Sequence, residues 1–301
     1  MNKRVLVTGA FGFVGSAVVR HLRAGGFEVV TTGRSVAPTS APAGEHILAN
    51  LACDLPSELF NVDAVVHCAG QAHASKATVA DYRYNIFEAT SRLVAAAAAY
   101  ERVRIFINLS SIKAMGEVLA VGSDETWGPL PVTPYGIAKL DAEVVVGAVA
   151  AAFDSAVSLR LSPVYGPGAR GVIGAMTRVG SRGLLPRLAG QTGTRSYVHV
   201  DDVASLIGRC LQQRVPSGVY CVSDGAQYTY NDVRDALNRP QVWSRAIPPV
   251  PVGVLRVLDR GPVGARLRLN DRLLGDAHVS VAKLSDALGW SPQRRLGSSS
   301  S

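Results

Sequence analysis

The sequence predicts an α/β fold built on a doubly wound parallel sheet, with a smaller C-terminal portion interleaved with it. Three observations carry this. β-Branched and apolar runs at residues 4–8, 28–32, 64–70 and 104–109 alternate with segments of helical apolar spacing. The first run passes into Gly9, Gly12 and Gly15, three apart, and then into Val14, Val18, Val19 and Leu22 at helical positions. A further strand-like run, residues 218–222, returns late in the chain after a glycine- and arginine-bearing segment at 171–188. With 301 residues, 48% hydrophobic and 18% charged, the chain suits one large α/β unit or two closely joined ones.

The strand–turn–helix at residues 4–16 anchors the rest. Its glycines let the backbone turn tightly and approach a pyrophosphate, and the opening helix offers that anion unpaired N–H groups and the positive end of its dipole. On this reading Gly9, Phe11, Gly12, Phe13, Val14 and Gly15 line a dinucleotide in a Rossmann-like unit; the competing reading is a turn that uses glycine for steric reasons alone. The second strand ends at Gly33-Arg34-Ser35. A carboxylate at such an end accepts from the 2′-OH of NAD, whereas an arginine accommodates the 2′-phosphate of NADP. Gly33 stands where the carboxylate belongs and Arg34 follows, so NADP(H) is favoured over NAD(H); a merely solvated turn arginine is the other reading.

Residues 36–44, rich in Pro, Ala, Ser and Thr, read as a surface loop, and 46–49 as a short strand. Asn50 and Asp54 follow it, and either stands where an adenine is approached. Residues 64–70 form a buried strand running out at Cys68, Ala69 and Gly70. An alanine-rich helix over about 81–100 leads to the strand that ends at Ser110-Ser111. Ligands collect beyond the carboxyl ends of parallel strands. The glycine turn, Gly33-Arg34, Gly70 and Ser111 all fall there.

The chemistry enters with Tyr135 and Lys139, four apart at the start of a helix and so one turn apart on one face. A phenol titrates at about 10 and a neighbouring cation favours its ionised form. Bringing Tyr135 to about 7 takes roughly 4 kcal/mol, which Lys139 and a positive nicotinamide ring are expected to supply.

Other classes find less support. The four cysteines and six histidines show no metal-ligand spacing, so no metal site is expected. The net charge of +8 is dispersed, without a basic helix or aromatic–basic stripe, so nucleic acid is not an expected partner. No apolar run is long enough to span a bilayer, and the first strand leaves no room for a signal peptide, which makes the cytoplasm the expected location. Further on, helices are expected at 201–211 and 229–237, a stiff proline-rich connector at 247–251, and an apolar helix at 254–258 packing on its own domain.

Taken together, these motifs resemble the extended short-chain dehydrogenase/reductases, the nucleotide-sugar epimerase/dehydratase/reductase family, over nearly the whole length. The resemblance implies that Ser111, Tyr135 and Lys139 are catalytic, and that Asn85 and the Pro163-Val164 segment join Cys68, Ala69 and Gly70 at the cofactor. It implies that Arg195 and Arg272 contact a sugar-nucleotide diphosphate and that the chain forms a homodimer through a four-helix bundle. Residues 1–162, with 197–224 returning, would bind NAD(P); residues 163–296 would bind the sugar nucleotide, and 297–301 form a tail. Dehydratases of the family carry an aspartate and a glutamate after the catalytic serine, where this chain has Ile112 and Lys113, so elimination of water lacks its acid–base pair. The stretch 110–117 and residues 272–275 are similar to reductases of UDP-linked 4-keto-6-deoxy-N-acetylhexosamines, and Lys113 then either contacts substrate or lies solvated in a loop. The expected activity is an NAD(P)H-dependent 4-ketoreductase. A nucleotide-sugar 4-epimerase is the alternative, and a non-enzymatic NADP-binding sensor a remote one.

Overall fold

The computed structural model describes residues 3–39, 44–71, 77–237, 248–259 and 275–297. The first strands are β1 (Arg4–Thr8), β2 (Glu28–Gly33), β3 (His46–Leu48), β4 (Ala64–His67) and β5 (Ile105–Ser111). After the short β6 (Leu119–Ser123) come β7 (Ser155–Leu161), the two-residue strands β8 (Val164–Tyr165), β9 (Leu188–Ala189) and β10 (Val198–His199), and β11 (Gly218–Val222). Seven of them form one parallel sheet in the order β11-β7-β5-β4-β1-β2-β3. Successive strands step outward one way from β1 and the other way from β4. The crevice between those two carboxyl ends is the switch point.

Alternation along β1 sends Val5 and Val7 into one core and Leu6 into the other, as a strand buried on both faces requires. On the first face α1 (Phe13–Ala24) brings Val18 and Leu22 against Val203, Leu206 and Ile207 of α5 (Val200–Gln212). The opposite face is covered by α3 (Ala89–Ala98), with Leu93, Val94 and Ala97, and by α4 (Pro134–Ala148), with Val146. Each of these valine, leucine and isoleucine side chains contributes about 1.5–3 kcal/mol on full burial.

One expectation needs correcting. The alanine-rich segment is not a uniform α-helix. A single turn, α2 (Val79–Tyr82), capped by a reciprocal Thr78–Asp81 box, passes into a π-helical turn at Arg83–Glu88 before α3 begins. The apolar run at 254–258 lies in the helix Val252–Asp259. Arg272 and the tail beyond Gly297 lie outside the described residues. Among the described residues, no helix is long and apolar enough to cross a membrane.

Candidate active site

The glycine turn is held by close backbone approach. Gly12 N donates to Gly9 O at 2.9 Å, and Gly9 adopts φ 63° with its α-carbon hard against Ala69, whose N lies 2.7 Å from where a Cβ would be. A Cβ on Gly15 would lie 2.1 Å from Gly9 O. Gly12, the N-cap of α1, supplies no side-chain hydrogen bond, and no acid occupies the first turn. The first N–H groups of α1 therefore face the crevice without a side-chain anion, an arrangement that fits a pyrophosphate. Gly15→Ala is expected to push α1 off the turn, lowering stability by about 1–3 kcal/mol. It should also weaken nicotinamide-cofactor binding, read by quenching of protein fluorescence, by roughly tenfold, about 1.4 kcal/mol.

Behind the turn lies a network that links β1, β4 and α3. Thr90 Oγ1 donates to Ile86 O at 2.6 Å, so it accepts from His67 Nε2 at 3.0 Å. His67 Nδ1 then accepts from Thr8 Oγ1 at 2.7 Å, and Thr8 accepts from Ala69 N. The Nε2–H tautomer is assigned by this chain of partners. Burial, with a smaller push from Lys139, drops the His67 pKa to about 3, so the ring is neutral.

Arg34, exposed at the end of β2, donates from Nη1 to Asn85 Oδ1 at 3.4 Å. Asn85 sits in the π-turn and donates to Asp81 O at 2.9 Å and to Gln71 Oε1 at 3.0 Å. The structure thus brings Arg34 and Asn85 together across the crevice. Asn50 is tied to Tyr84, whose hydroxyl accepts from Asn50 Nδ2 at 3.0 Å, and Phe11 packs 5.2 Å from the His46 ring.

The Ser111 side chain lies close enough to the Tyr135 phenol to pull its pKa downward. Thr133 caps α4 by accepting from Gly136 N at 3.2 Å, Pro134 opens its first turn, and Tyr82 packs edge-on 5.9 Å from the Tyr135 ring. Lys139, 7% exposed, donates from Nζ to Leu109 O at 2.6 Å. Gly70 lies just beyond, with the place of a Cβ 3.3 Å from that Nζ. Burial draws the Lys139 pKa down to about 8, against opposing pulls from Glu143 and Cys68. The same burial lifts Cys68 to about 12. Tyr135 departs from expectation. Burial, with a smaller push from Tyr82, raises its pKa to about 12 against the lowering from Ser111, and the protein alone holds it as a proton donor.

Lys113 N donates to Ser111 Oγ at 3.2 Å, and Lys113 Nζ pairs with Glu117 Oε2 at 2.6 Å. Glu117 Oε1 accepts in turn from Thr133 Oγ1 at 3.1 Å. Ile112, by contrast, is buried in the core. Thr133 went unremarked in the sequence, and Glu117 and Gly136 had no role assigned; a Cβ on Gly136 would lie 2.4 Å from Lys113 O. Only the Thr-Pro-Tyr-Gly order hinted at a capped helix start. Val164 packs on the main core, and Pro163 O accepts from Val198 N at 3.2 Å, which brings β8 and β10 to the carboxyl edge of the sheet. Arg195 is buried on a separate segment, bridged through its backbone to Tyr228 and Ala277.

A parallel sheet with a glycine turn at its switch point, and a serine beside a tyrosine with a lysine one turn on, defines an enzyme of the extended short-chain dehydrogenase/reductase class. Within it, the chain belongs to the NAD dependent epimerase/dehydratase family, whose model matches residues 5–223. It is 31% identical to a UDP-glucose 4-epimerase of Vibrio cholerae, across 98% of this chain and 93% of that protein. It is 29% identical to a dTDP-6-deoxy-L-talose 4-dehydrogenase (NAD(P)(+)) of Kitasatospora kifunensis, across 97% of this chain and 92% of that one. Among solved structures it resembles MoeE5 in complex with UDP-glucuronic acid and NAD, with a TM-score of 0.78, 25% identity and coverage of 98% and 95% of the two chains. The family resemblance and the doubly wound α/β fold read from the sequence are both borne out.

Proposed function

We propose that this chain reduces the 4-keto group of a nucleotide-activated, UDP-linked 4-keto-6-deoxy sugar, with NADPH as the favoured reductant. One observation carries the choice of reduction: β2 ends in Gly33 and an exposed Arg34 reaching over the crevice, with no carboxylate to claim a ribose 2′-hydroxyl. A nicotinamide cofactor held in this crevice would supply the hydride for C4. Tyr135 donates its proton to the oxygen developing there, and Ser111 hydrogen-bonds the same oxygen. Lys139 holds the nicotinamide ribose and offsets charge beside Tyr135. The turn Gly9–Gly15 cradles the pyrophosphate, Arg34 takes the 2′-phosphate, and Cys68, Ala69, Gly70, Asn85, Pro163 and Val164 flank the rest. Arg195 and Arg272 grip the diphosphate of the sugar nucleotide, and Lys113 lies at the substrate side. Residues 1–162 and 197–224 form the cofactor portion, and 163–296 the sugar-nucleotide portion. The reading extends to a homodimer in the cytoplasm: Ile137 and Val144 make an apolar outer stripe on α4, Val144 being 63% exposed.

A second reading is a 4-epimerase, favoured by the name of the Vibrio cholerae relative. Incubation with NADPH or NADH and a panel of UDP- and dTDP-4-keto-6-deoxy sugars, followed by absorbance, separates the two. Stoichiometric loss of NADPH is expected. Interconversion of C4 epimers with only bound NAD would replace the reductase reading by the epimerase. Arg34→Ala should reduce the preference for NADPH over NADH by about tenfold, the worth of one charge-assisted contact to phosphate.

A further inference from the structure

Glu143 lies one turn beyond Lys139 on α4, is 5% exposed, and has no part in the proton transfer described above. Its carboxylate is fully engaged. Arg160 donates to it through Nε at 3.1 Å and Nη2 at 2.8 Å, and Ser110 Oγ donates to Oε1. Ser110 and Arg160 are direct partners across β5 and β7, so the carboxylate bridges the row just before Ser111. Arg160, also 5% exposed, is flanked on its other side by Cys221 of β11, whose N–H is accepted by Glu125.

Two cations and one carboxylate are thus buried together. A guanidinium does not release its proton near neutral pH, so without the carboxylate the strain of two unpaired cations would be relieved at Lys139. Toward Lys139 the other facing groups are His67 at the end of β4, Cys68 just after it, and Tyr135 on α4 itself; toward the pair they are Cys221 from β11 and Glu125. Of these, Glu143 is the largest influence opposing the loss of the ammonium.

We propose that Glu143 is a positioning residue for the reaction, braced by Arg160 and Ser110, which supplies the countercharge that keeps Lys139 an ammonium behind Tyr135. The proposal rests on Tyr135 and Lys139 being the reacting pair, but its test reads Lys139 directly and needs no sugar. The chain has five lysines, so the resonances of protein labelled with ε-13C-lysine can be assigned, with Lys139→Met identifying the one of interest.

In the unaltered protein that resonance should titrate near pH 8. In Glu143→Gln the midpoint should fall by about one pH unit, a tenfold loss of proton affinity. That variant strands the Arg160 charge and can cost the fold, so Glu143→Gln/Arg160→Met is measured beside it. Glu143 rather than Arg160 carries the field on Lys139, so the double variant should still titrate lower, by about half a unit. Glu143→Asp, which keeps the charge, should return most of the shift. An unchanged midpoint in either folded glutamine variant overturns the proposal, as does an aspartate variant displaced as far as the glutamine one. Absence of turnover with every candidate sugar would instead defeat the reductase reading and leave the titration standing.

Discussion

Tyr135→Phe should abolish most turnover while leaving the sugar nucleotide bound. Removing a positioned general acid costs about 10²–10⁴-fold, or roughly 3–5 kcal/mol of transition-state stabilisation. The Ser111 oxygen beside the phenol keeps its hydrogen bond from Lys113 N, so the surrounding backbone has little reason to move. Calorimetric affinity for a UDP-sugar should change by less than about threefold, below 0.7 kcal/mol. Retained turnover would show that the proton comes from elsewhere. The pH dependence follows from the same site. With Tyr135 held near 12 and Lys139 near 8, the donor stays protonated across the working range and the ammonium is the group that titrates. Turnover should fall as pH rises through about 8, and no loss should appear from Tyr135 itself.

The second large effect concerns stability. His67 is 1% exposed and neutral, its pKa near 3 against 6.5 when unfolded, through burial first and Lys139 second. Between those values the unfolded chain binds a proton that the folded chain refuses, so stability rises with pH there and is lost on acidification. At about 1.36 kcal/mol per unit, the contribution fully present above pH 6.5 and gone near pH 3 is roughly 5 kcal/mol. Urea unfolding at a series of pH values in that window should show this slope. His67→Gln, which keeps one donor and one acceptor but cannot titrate, should be less stable at pH 7 and flatter with acid. An equal slope in both proteins would place the acid sensitivity in other groups.

Much of the frame was legible because it rests on local patterns. β-Branched runs and three-spaced glycines report strand and turn chemistry directly, and the tyrosine–lysine spacing puts two side chains on one helix face. What was hidden depends on who lies opposite. Nothing beside His67 in sequence announces Thr8 and Thr90, which reach it from other elements. The upward shift of Tyr135 in the protein alone was hidden because a sequence shows neighbouring charge but not lost water. Glu143 carried a readable signal, four residues after Lys139, yet only the register of Ser110 with Arg160 shows what it clasps. The π-turn had no signal at all, since composition does not distinguish a five-residue hydrogen-bond spacing from a four.

That turn has a consequence for how the chain can drift. An α-helix rotates about 100° per residue, and a π-turn carries one residue more than the α-helix around it needs. The extra residue is taken up inside the turn, so deleting one residue between 83 and 88 would let the helix close as plain α while Asp81 and Tyr82 keep nearly their present direction relative to Thr90 and Leu93. The residues that would change place are those of the turn itself, Asn85 among them, whose bonds to Asp81, Gln71 and Arg34 line the crevice. The helix packing behind the crevice could spare that residue; the crevice wall could not.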